Sequence, residues 1–590
     1  MHPFRFLPLL LGGLVLLGQA PPDRTFRQWM GGTEVGGSTV TVRTSEGVRE
    51  LRSREWMTLA RLGQEIKQDL EQAARKHPDG ALSFTWRLQL SSEPFEGVAH
   101  WTPGSSTLRV QPVRGPESNP AIPAGALLWP EDLDDQLMAS ARRGLPLRAT
   151  TFSFPTQQWS TLNLKPRGPA PLPGFPDAVR FTGTETQGTA TLPVEVWISP
   201  TQGELRHVTD LGSLRVLTQR TELPPPAAQA GSSAEAFEQT LQTLPPHPFQ
   251  PWLSEVTLRA EGKAPELRED AQQARLPGGR WRLRRAAEPR GAEATQPPVQ
   301  GKPTAVEARY LASSALVPFE DPAFEGLLRR LALPPGLSRW ELARRVNAFV
   351  FDWIADKDFS VGFASALEVC HQPRGDCSEH GVLAVALLRR LGVPARGVTG
   401  WVALDQVLGL HFWVEVRLQD RWVPIDPTFD QAPASAFRIK LGDSDLADLG
   451  SIGWEGAALA LTGLRWLPER AGSRPYAEGA TLRSDLALGP GGLQLRLPGG
   501  RWSLRGGRLQ LRTREGGPWR VEACLRPTPA QTATTEALAG AASGRRGRWD
   551  RQARTLWLDL GAGRWLRVDG VDEAEAFDLL DQVSVATSGA

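Results

Sequence analysis

The most informative segment of the chain reads Gly375-Asp-Cys-Ser-Glu-His-Gly-Val-Leu-Ala-Val-Ala-Leu-Leu-Arg-Arg-Leu-Gly-Val-Pro-Ala-Arg396. From Ser378 to Leu391 it is apolar on nearly every side, which predicts a buried helix. Asp376 is suited to cap the start of this helix, and Gly392 is suited to end it in the left-handed conformation. The segment therefore predicts a central helix whose first turn contains a cysteine.

That cysteine, Cys377, has the position of a reactive thiol. Unpaired N–H groups and the dipole at a helix N-terminus stabilise an anion, so we expect a lowered pKa for the Cys377 thiol. A nucleophilic thiolate also needs a base, and the base needs a group that orients it. Residue types suited to both roles follow downstream.

Two runs predict a hairpin that carries the base and its orienting group. Leu410-His-Phe-Trp-Val-Glu-Val-Arg-Leu418 alternates and places His411 and Trp413 on one face of a strand. The second run is Arg421-Trp-Val-Pro-Ile-Asp-Pro-Thr428. If the residues between the runs form the loop, Asp426 lies opposite Trp413 and diagonal to His411, within side-chain reach. The spacing thus predicts a contact between His411 and Asp426.

Taken together, these segments resemble the transglutaminase-like superfamily. In order they are Gly-Asp-Cys-Ser-Glu-His, Leu-Gly-Val-Pro-Ala-Arg, His-Phe-Trp-Val-Glu-Val and Arg-Trp-Val-Pro-Ile-Asp-Pro-Thr. The resemblance covers about Val306 to Trp466 and implies a papain-like core, with the nucleophile on a helix and its partners on neighbouring strands. By motif position it implies that Cys377 is the nucleophile, His411 the base and acid, and Asp426 the orienting group.

Two later stretches, Gln431–Lys440 and Ala447–Gly450, resemble the region after the catalytic aspartate in bacterial secreted members. The resemblance implies acyl transfer through a thioester on a protein or peptide substrate, without a cofactor. Water as the acceptor makes a peptidase or amidase, and a lysine amine makes a cross-linking enzyme. The sequence leaves both open, because pocket shape and water exclusion select the acceptor. A non-catalytic envelope scaffold or binding protein that retains the fold is the alternative from another class.

Other residues near Cys377 have competing interpretations. His380 is a rival base on the same helix, but no carboxylate is placed to orient it, so we predict a structural role. Four residues are also possible zinc ligands: Cys370, His371, Cys377 and His380. In structural zinc sites, however, fewer residues separate the two cysteines of a pair. We therefore predict no metal site. A Cys370–Cys377 disulfide that locks the nucleophile stays open.

Amphipathic patterns predict further helices over Pro322–Leu331 and Ser338–Ile354, the second with a serine cap. The start of another helix, with its carboxylates in solvent, is predicted at Asp443, Asp445 and Asp448. A calcium loop is disfavoured, because the ligand spacing and the glycine of an EF-hand are missing.

The rest of the chain predicts β-rich domains around this centre. A chain of 590 residues is too long for one hydrophobic core. Alternating runs such as Leu82–Leu90 predict strands, whereas Trp56–Lys76 and Glu573–Val583 predict helices. We predict an α+β multidomain protein with a papain-like transglutaminase core between mainly antiparallel β domains. Its parts are a signal peptide (1–20), an N-terminal β-rich domain (21–222), a linker with a short β segment (223–305), a transglutaminase-like catalytic domain (306–466) and a C-terminal β-rich domain (467–590).

Composition and termini restrict location and partners. The net charge is +2 and the arginines are scattered, which excludes a strongly basic nucleic-acid surface. The apolar run that ends near Leu17 is too short to span a bilayer and predicts a signal peptide cut near Ala20. We therefore expect a secreted or periplasmic protein with no integral membrane segment after cleavage. Three cysteines in an exported chain leave at least one outside disulfides; the oligomeric state stays open.

One motif recurs. Leu276-Pro-Gly-Gly-Arg-Trp-Arg-Leu-Arg284 is repeated as Leu497-Pro-Gly-Gly-Arg-Trp-Ser-Leu-Arg505, with a partial copy at Gly563–Arg567. The motif predicts a tight turn that leads into a strand whose tryptophan packs in a core, and stacking of the tryptophan on a sugar or peptide is the alternative.

Overall fold

The computed structural model describes most of the chain as far as residue 447 and shorter stretches beyond it. Strands account for 49% of the residues and helices for 16%, so the protein is mostly β, with several sheets. The predicted signal peptide lies outside the described residues, as do residues 223–233 of the predicted linker and all of the predicted helix Glu573–Val583 except Ala576. Among the helices that are described, none is long and apolar enough to cross a membrane. The described residues are 23–61, 64–187, 190–210, 214–222, 234–235, 240–245, 253–262, 267–357, 363–404, 407–447, 449, 464–471, 474–476, 493–496, 501–505, 508–512, 519–524, 527, 531, 535–539, 546–560, 565–570, 576 and 584–587.

The N-terminal part forms one large, mainly antiparallel sheet. Its order is β7-β6-β5-β4-β3-β2-β1-β14-β13-β12-β11-β10-β9-β8, and β15 pairs with β3. The strands are β1 Asp23–Met30, β2 Thr33–Ser45, β3 Val48–Arg61, β4 Gln64–Lys76, β5 Leu82–Gln89, β6 Pro94–Trp101, β7 Arg109–Pro112, β8 Ala126–Leu127, β9 Leu147–Ser153, β10 Gln158–Pro169, β11 Val179–Gln187, β12 Ala190–Ser199, β13 Gly203–Asp210, β14 Arg215–Thr221 and β15 Ala234–Glu235. The predicted strand at Leu82–Leu90 is confirmed by β5.

The helix predicted over Trp56–Lys76 is wrong, because this segment belongs to β3 and β4. Burial in β4 alternates: Ile66, Gln68 and Leu70 are buried and the residues between them are more exposed. Apolar residues four positions apart lie on one face of a helix and also on one face of a strand, so the pattern was ambiguous. Pairing of β4 with both β3 and β5 decides in favour of the strand.

A helix that the sequence did not predict, α1 (Pro130–Arg143), packs against the sheet. Proline stands at its start, and Gly144 ends it with a φ of 64°. Its buried face carries Leu133, Leu137 and Ala141, which join a core cluster with residues of β9 to β12. The helix therefore covers the apolar side of these strands.

Along the chain, four short strands follow the large sheet and precede the central helices: β16 Gln242–Thr243, β17 Glu255–Glu261, β18 Gln273–Leu276 and β19 Arg280–Arg284. The first copy of the repeated motif is the β18–β19 hairpin. Gly278 and Gly279 have φ values of 76° and 70° in its turn, and Trp281 is buried in a core. The predicted turn, strand and packed tryptophan are confirmed for this copy.

The central part combines five helices with a five-stranded sheet of order β16-β21-β20-β23, in which β22 pairs with β21. The predicted helix with a serine cap is confirmed: Ser338 and Glu341 form a capping box. Asp443 lies in a strand paired with β20, so the helix predicted there is wrong; Asp448 is outside the described residues. The elements are α2 Ala305–Tyr310, α3 Ala323–Leu331, α4 Arg339–Trp353, α5 Ala366–His371, α6 Cys377–Arg390, β20 Ala395–Leu404, β21 Val407–Leu418, β22 Arg421–Ile425 and β23 Arg438–Ser444.

Strands from both sides of the central part meet in another sheet, of order β18-β19-β17-β24-β25. Here β24 is Arg465–Ala471 and β25 is Arg474–Pro475. Trp281 and Trp466 of this sheet share a core cluster with Trp401 and Phe437 of the central part. The segment that we predicted as a linker also contacts the centre, since Arg339 donates a hydrogen bond to the Pro297 carbonyl at 2.9 Å.

The C-terminal strands form two further sheets, of orders β26-β34 and β27-β28-β29-β33-β32-β31-β30. The second copy of the motif enters β27, although its turn residues lie outside the described part of the chain. The strands are β26 Leu493–Arg496, β27 Arg501–Arg505, β28 Arg508–Arg512, β29 Trp519–Cys524, β30 Glu536–Ala539, β31 Arg546–Asp550, β32 Thr555–Asp559, β33 Trp565–Asp569 and β34 Ser584–Thr587.

Candidate active site

Cys377 is the first residue of α6, and a capping box fixes the start of this helix. The Asp376 carboxylate accepts a hydrogen bond from the Ser378 N–H at 3.1 Å, and Glu379 Oε2 accepts one from the Asp376 N–H at 3.0 Å. Gly375 has a φ of 128°, and a Cβ there would collide with the Glu379 side chain. The backbone therefore requires glycine at position 375 and favours Asp376 as the cap, and this turn places Cys377, which is 3% exposed, at the helix N-terminus.

The β21–β22 hairpin has the register on which the sequence argument depended. Leu418 lies opposite Arg421, and the loop residue Gln419 has a φ of 47°, as tight hairpin turns require. The pairing continues to the end of β22, directly before Asp426. The predicted contact is present: His411 Nε2 and Asp426 Oδ2 are 2.7 Å apart.

The His411–Asp426 pair is enclosed. His411 is 4% exposed and Asp426 is fully buried. The ring of Phe429 stacks on the His411 imidazole at a centroid distance of 4.9 Å, and Trp413 lies nearly parallel to it at 6.2 Å. An ionised carboxylate only accepts hydrogen bonds, so Nε2 of His411 carries the proton and Nδ1 is the nitrogen that can take up another. Ring packing and the hydrogen bond together fix the orientation of the imidazole.

Arg438 is a member of this site that the sequence argument missed. It is buried at the start of β23, and its Nη2 donates to Asp426 Oδ2 at 2.5 Å and to Gln431 Oε1 at 2.9 Å. Burial by itself would raise the pKa of Asp426, but the charges and hydrogen bonds of His411 and Arg438 hold this pKa well below its ordinary value. Asp426 is therefore a carboxylate at every pH at which the protein would work.

Packing of α6 on β21 brings the cysteine and histidine elements together. Gly381 lies one helical turn after Cys377, and a Cβ at this glycine would collide with the ring of Phe412. Phe412 directly precedes Trp413 and follows His411 in β21, and it shares a core cluster with Cys377. Glycine at position 381 thus lets the first turns of the helix approach the strand that carries His411.

The rival base His380 has both ring nitrogens occupied. Its Nδ1–H donates to the Asp376 carbonyl at 2.6 Å, and Lys357 Nζ donates to Nε2 at 2.6 Å. Burial, and then the charge of Lys357, lower the pKa of His380 well below its ordinary value. A neutral imidazole whose only acceptor nitrogen already receives a hydrogen bond is a poor base for a thiol, so His380 serves to position the helix start.

The other cysteine of the central part is separate from this constellation. Cys370 and Cys377 are both thiols, so no disulfide joins them in this structure. The Cys370 thiol donates to the Ala323 carbonyl at 3.6 Å, and burial, with the charge of Asp321, raises its pKa to about 11. Within the ranges that the structure describes, no group of three or more His, Cys, Asp or Glu side chains is arranged to hold a metal ion.

Comparison with known proteins gives a family match for the centre of the chain. A profile of the transglutaminase-like superfamily matches residues 334–427, which include Cys377, His411 and Asp426. No curated protein sequence matches the chain significantly.

Three solved structures are similar to parts of the chain. A β-barrel-like protein from Brucella abortus, a domain of unknown function, is 12% identical, with a TM-score of 0.28, and covers 36% of this chain and 100% of its own. A proposed cysteine protease from Cytophaga hutchinsonii is 15% identical, with a TM-score of 0.24, and covers 40% and 90%. A proposed protease from Parabacteroides distasonis is 9% identical, with a TM-score of 0.14, and covers 86% and 96%. With TM-scores this low, none of the three identifies the fold or the activity of this chain.

Proposed function

Because residues 334–427 belong to the transglutaminase-like superfamily, we propose that the chain is a cysteine enzyme that transfers acyl groups through a thioester. Cys377 is the nucleophile, His411 the base and acid, and Asp426 the group that orients His411, in a papain-like arrangement of a helix and neighbouring strands. The observation that carries the proposal is the buried His411–Asp426 pair, held at 2.7 Å, with His411 on the strand against which the helix of Cys377 packs.

The proposed reaction has two stages. The Cys377 thiolate attacks the carbonyl carbon of an amide, and the imidazolium of His411 gives its Nδ1 proton to the departing amine. The backbone N–H of Cys377, at the helix N-terminus, stabilises the oxyanion. A water or amine then loses a proton to His411 and attacks the thioester, which returns Cys377 to its starting state. Water yields an acid product, and a lysine amine yields a cross-link.

Asp426 and Arg438 support this cycle without taking up a proton. The depressed pKa of Asp426 keeps the carboxylate ionised, so it stabilises the imidazolium that forms when His411 holds two protons. The proposed substrates are proteins or peptides. From the apolar start of the sequence we also propose that the protein acts after export, in the periplasm or outside the cell.

The alternative is a non-catalytic scaffold that retains this fold. One observation favours it: Cys377 is 3% exposed and His411 is 4% exposed, so neither presents an open surface to a substrate. In that case the contact between His411 and Asp426 stabilises the fold, and the thiol is a core residue.

The first test is the rate at which iodoacetamide labels Cys377 as a function of pH, after treatment with reductant. We expect fast labelling at neutral pH that is lost in His411→Ala and retained in His380→Ala, the matched change at the rival histidine. Cys370 is the internal reference, and it should react slowly because its pKa is about 11. Equal, slow labelling of Cys377 in the protein and in His411→Ala would refute the enzyme proposal in favour of the scaffold.

The acceptor is determined by a second measurement. The protein is incubated with casein and a fluorescent primary amine, and the products are analysed by mass spectrometry. Incorporation of the amine at glutamine side chains identifies a cross-linking enzyme, whereas new chain ends or deamidated glutamines identify a hydrolase. Each activity should disappear in Cys377→Ala.

A further inference from the structure

A cavity of about 110 Å³ lies inside the N-terminal sheet, away from the proposed active site. Strands β3, β4 and β5 form one side, and residues 151–156, at the end of β9 and just beyond it, form the other. Most of the wall is apolar, with Leu51, Leu70 and Phe84 on the first side and Phe152 and Phe154 on the second. The ring centroids of Phe84 and Phe154 are 4.5 Å apart, so the two sides of the wall are in contact at this point.

Four buried polar side chains interrupt this apolar wall: Glu55, Gln68, Thr151 and Thr156. Glu55 is 4% exposed and Gln68 is 3% exposed, and they project from the adjacent strands β3 and β4. Gln28 Nε2 donates to Glu55 Oε1 at 2.7 Å. In contrast, Oε1 of Gln68 has no hydrogen-bond partner among the described residues. A buried carbonyl oxygen without a donor is costly, and native proteins nearly always supply one.

The wall of the cavity is neutral under ordinary conditions. Burial raises the pKa of Glu55 to about 8, so this side chain is mainly a carboxylic acid at neutral pH. A charged ligand would therefore lack a counter-ion. Oε1 of Gln68 is the one buried side-chain oxygen of this wall that lacks a hydrogen-bond partner among the described residues. The remaining polar side chains of the wall are Ser53, Gln72, Thr85, Thr151, Ser153 and Thr156.

We propose that this cavity binds a small, uncharged and mainly apolar molecule that carries one hydroxyl or N–H donor, with the donor directed to Oε1 of Gln68. At about 110 Å³ the cavity is smaller than the apolar cavity of about 150 Å³ that accommodates benzene, so the ligand is no larger than a single ring or a short aliphatic chain. None of the residues used in this argument belongs to the Cys377–His411 site, so the binding site and the proposed enzyme activity stand or fall separately.

Phenol and toluene are suitable probes, because they have nearly the same shape and only phenol has a donor. Binding to the full chain is measured by calorimetry and by the line widths of the ligand NMR signals. We expect saturable binding of phenol, at least about tenfold tighter than that of toluene, which is the preference that one buried hydrogen bond supplies. Gln68→Leu should abolish the preference and bind toluene at least as well as phenol. Gln111→Leu, the same change at an exposed position that does not line the cavity, should preserve the preference.

Ala74→Phe, which fills the cavity, should remove binding of both probes while the circular dichroism spectrum is retained. The proposal is overturned if the folded wild-type chain shows no saturable phenol binding, which would mean that water alone satisfies Gln68. It is also overturned if toluene binds as well as phenol, or if the preference for phenol survives in a folded Gln68→Leu variant.

Discussion

Arg438 offers the sharpest test of how the candidate site is built. Its guanidinium donates to Asp426 Oδ2 at 2.5 Å and to Gln431 Oε1 at 2.9 Å, and both groups are buried. Arg438→Met keeps a side chain of similar length and removes the charge and the donors. Of the two side chains that donate to Asp426 Oδ2, only His411 then remains.

The expected loss of stability follows from the ion pair between Arg438 and Asp426. Two unit charges about 4 Å apart interact by about 4 kcal/mol at an effective dielectric constant of about 20. Because the folded-state pKa of Asp426 is depressed, its ion pairs add stability above the pKa of an unfolded aspartate, and this stability is lost as the pH falls through the folded-state value. Arg438→Met should therefore lower the free energy of unfolding by about 3–5 kcal/mol at neutral pH, the usual cost of breaking a buried pair, and by less in acid.

The same loss should appear in the chemistry of Cys377. A protonated Asp426 no longer holds His411 in the tautomer with the proton on Nε2. Removal of the nearby cation also disfavours the Cys377 thiolate, so the acid limb of its iodoacetamide rate profile should move to higher pH in Arg438→Met. Arg438→Lys, which keeps the charge, should restore most of the profile.

Two measurements together test this role of Arg438. Urea unfolding followed by hydrogen exchange of the β21–β22 peptides gives the stability, and labelling gives the pH profile. If Arg438→Met is folded and its acid limb coincides with that of the wild type, then Arg438 does not control the ionisation of Asp426. An equal loss of stability at acid and at neutral pH would show that Arg438 acts by packing alone.

Three further changes test other parts of the argument. Glu55→Gln should leave stability nearly unchanged at pH 4 and raise it by up to about 5 kcal/mol at pH 9, measured by unfolding against pH. The reason is that the folded-state pKa of about 8 exceeds the ordinary 4.5, so stability falls as the pH rises between these values. Gly381→Ala should cost about 1–3 kcal/mol through its collision with Phe412, and Phe412→Leu should recover part of this loss, measured by urea unfolding. Lys357→Met should raise the pKa of His380, read from its imidazole NMR signals, and an unchanged pKa would leave burial as the sole cause.

The sequence was sufficient wherever local rules and a short spacing act together. The start of α6 follows from Asp376 as cap and Glu379 as its reciprocal partner, both within one turn. The contact of His411 with Asp426 follows from the two-residue loop and the alternation of side chains along two paired strands. In both cases the partners are close in the chain, so few alternatives compete.

Arg438 could not be found in this way, because its role depends on a pairing between strands that are distant in sequence. The strand β23 joins the edge of β20, and only this placement brings the guanidinium to Asp426. The available signal was a basic residue next to the apolar Ile439 in this strand, and Lys440 shares that signal but binds Glu415 instead. The sequence alone does not show which of these two basic side chains reaches Asp426.

The predicted division of the chain into consecutive domains does not describe how its sheets are built. The strand β17 lies before the central helices and β24 lies after them, yet the two pair directly. Their sheet shares its core with the central sheet, through Trp281 and Trp466 on one side and Trp401 and Phe437 on the other. A fragment of residues 306–466 alone would lack β17 and most of β24. Trp401 and Phe437 of the centre would then be exposed to water. The sheet that positions His411 therefore depends on residues that precede and follow it, so the unit of folding is larger than the segment that carries the family motifs.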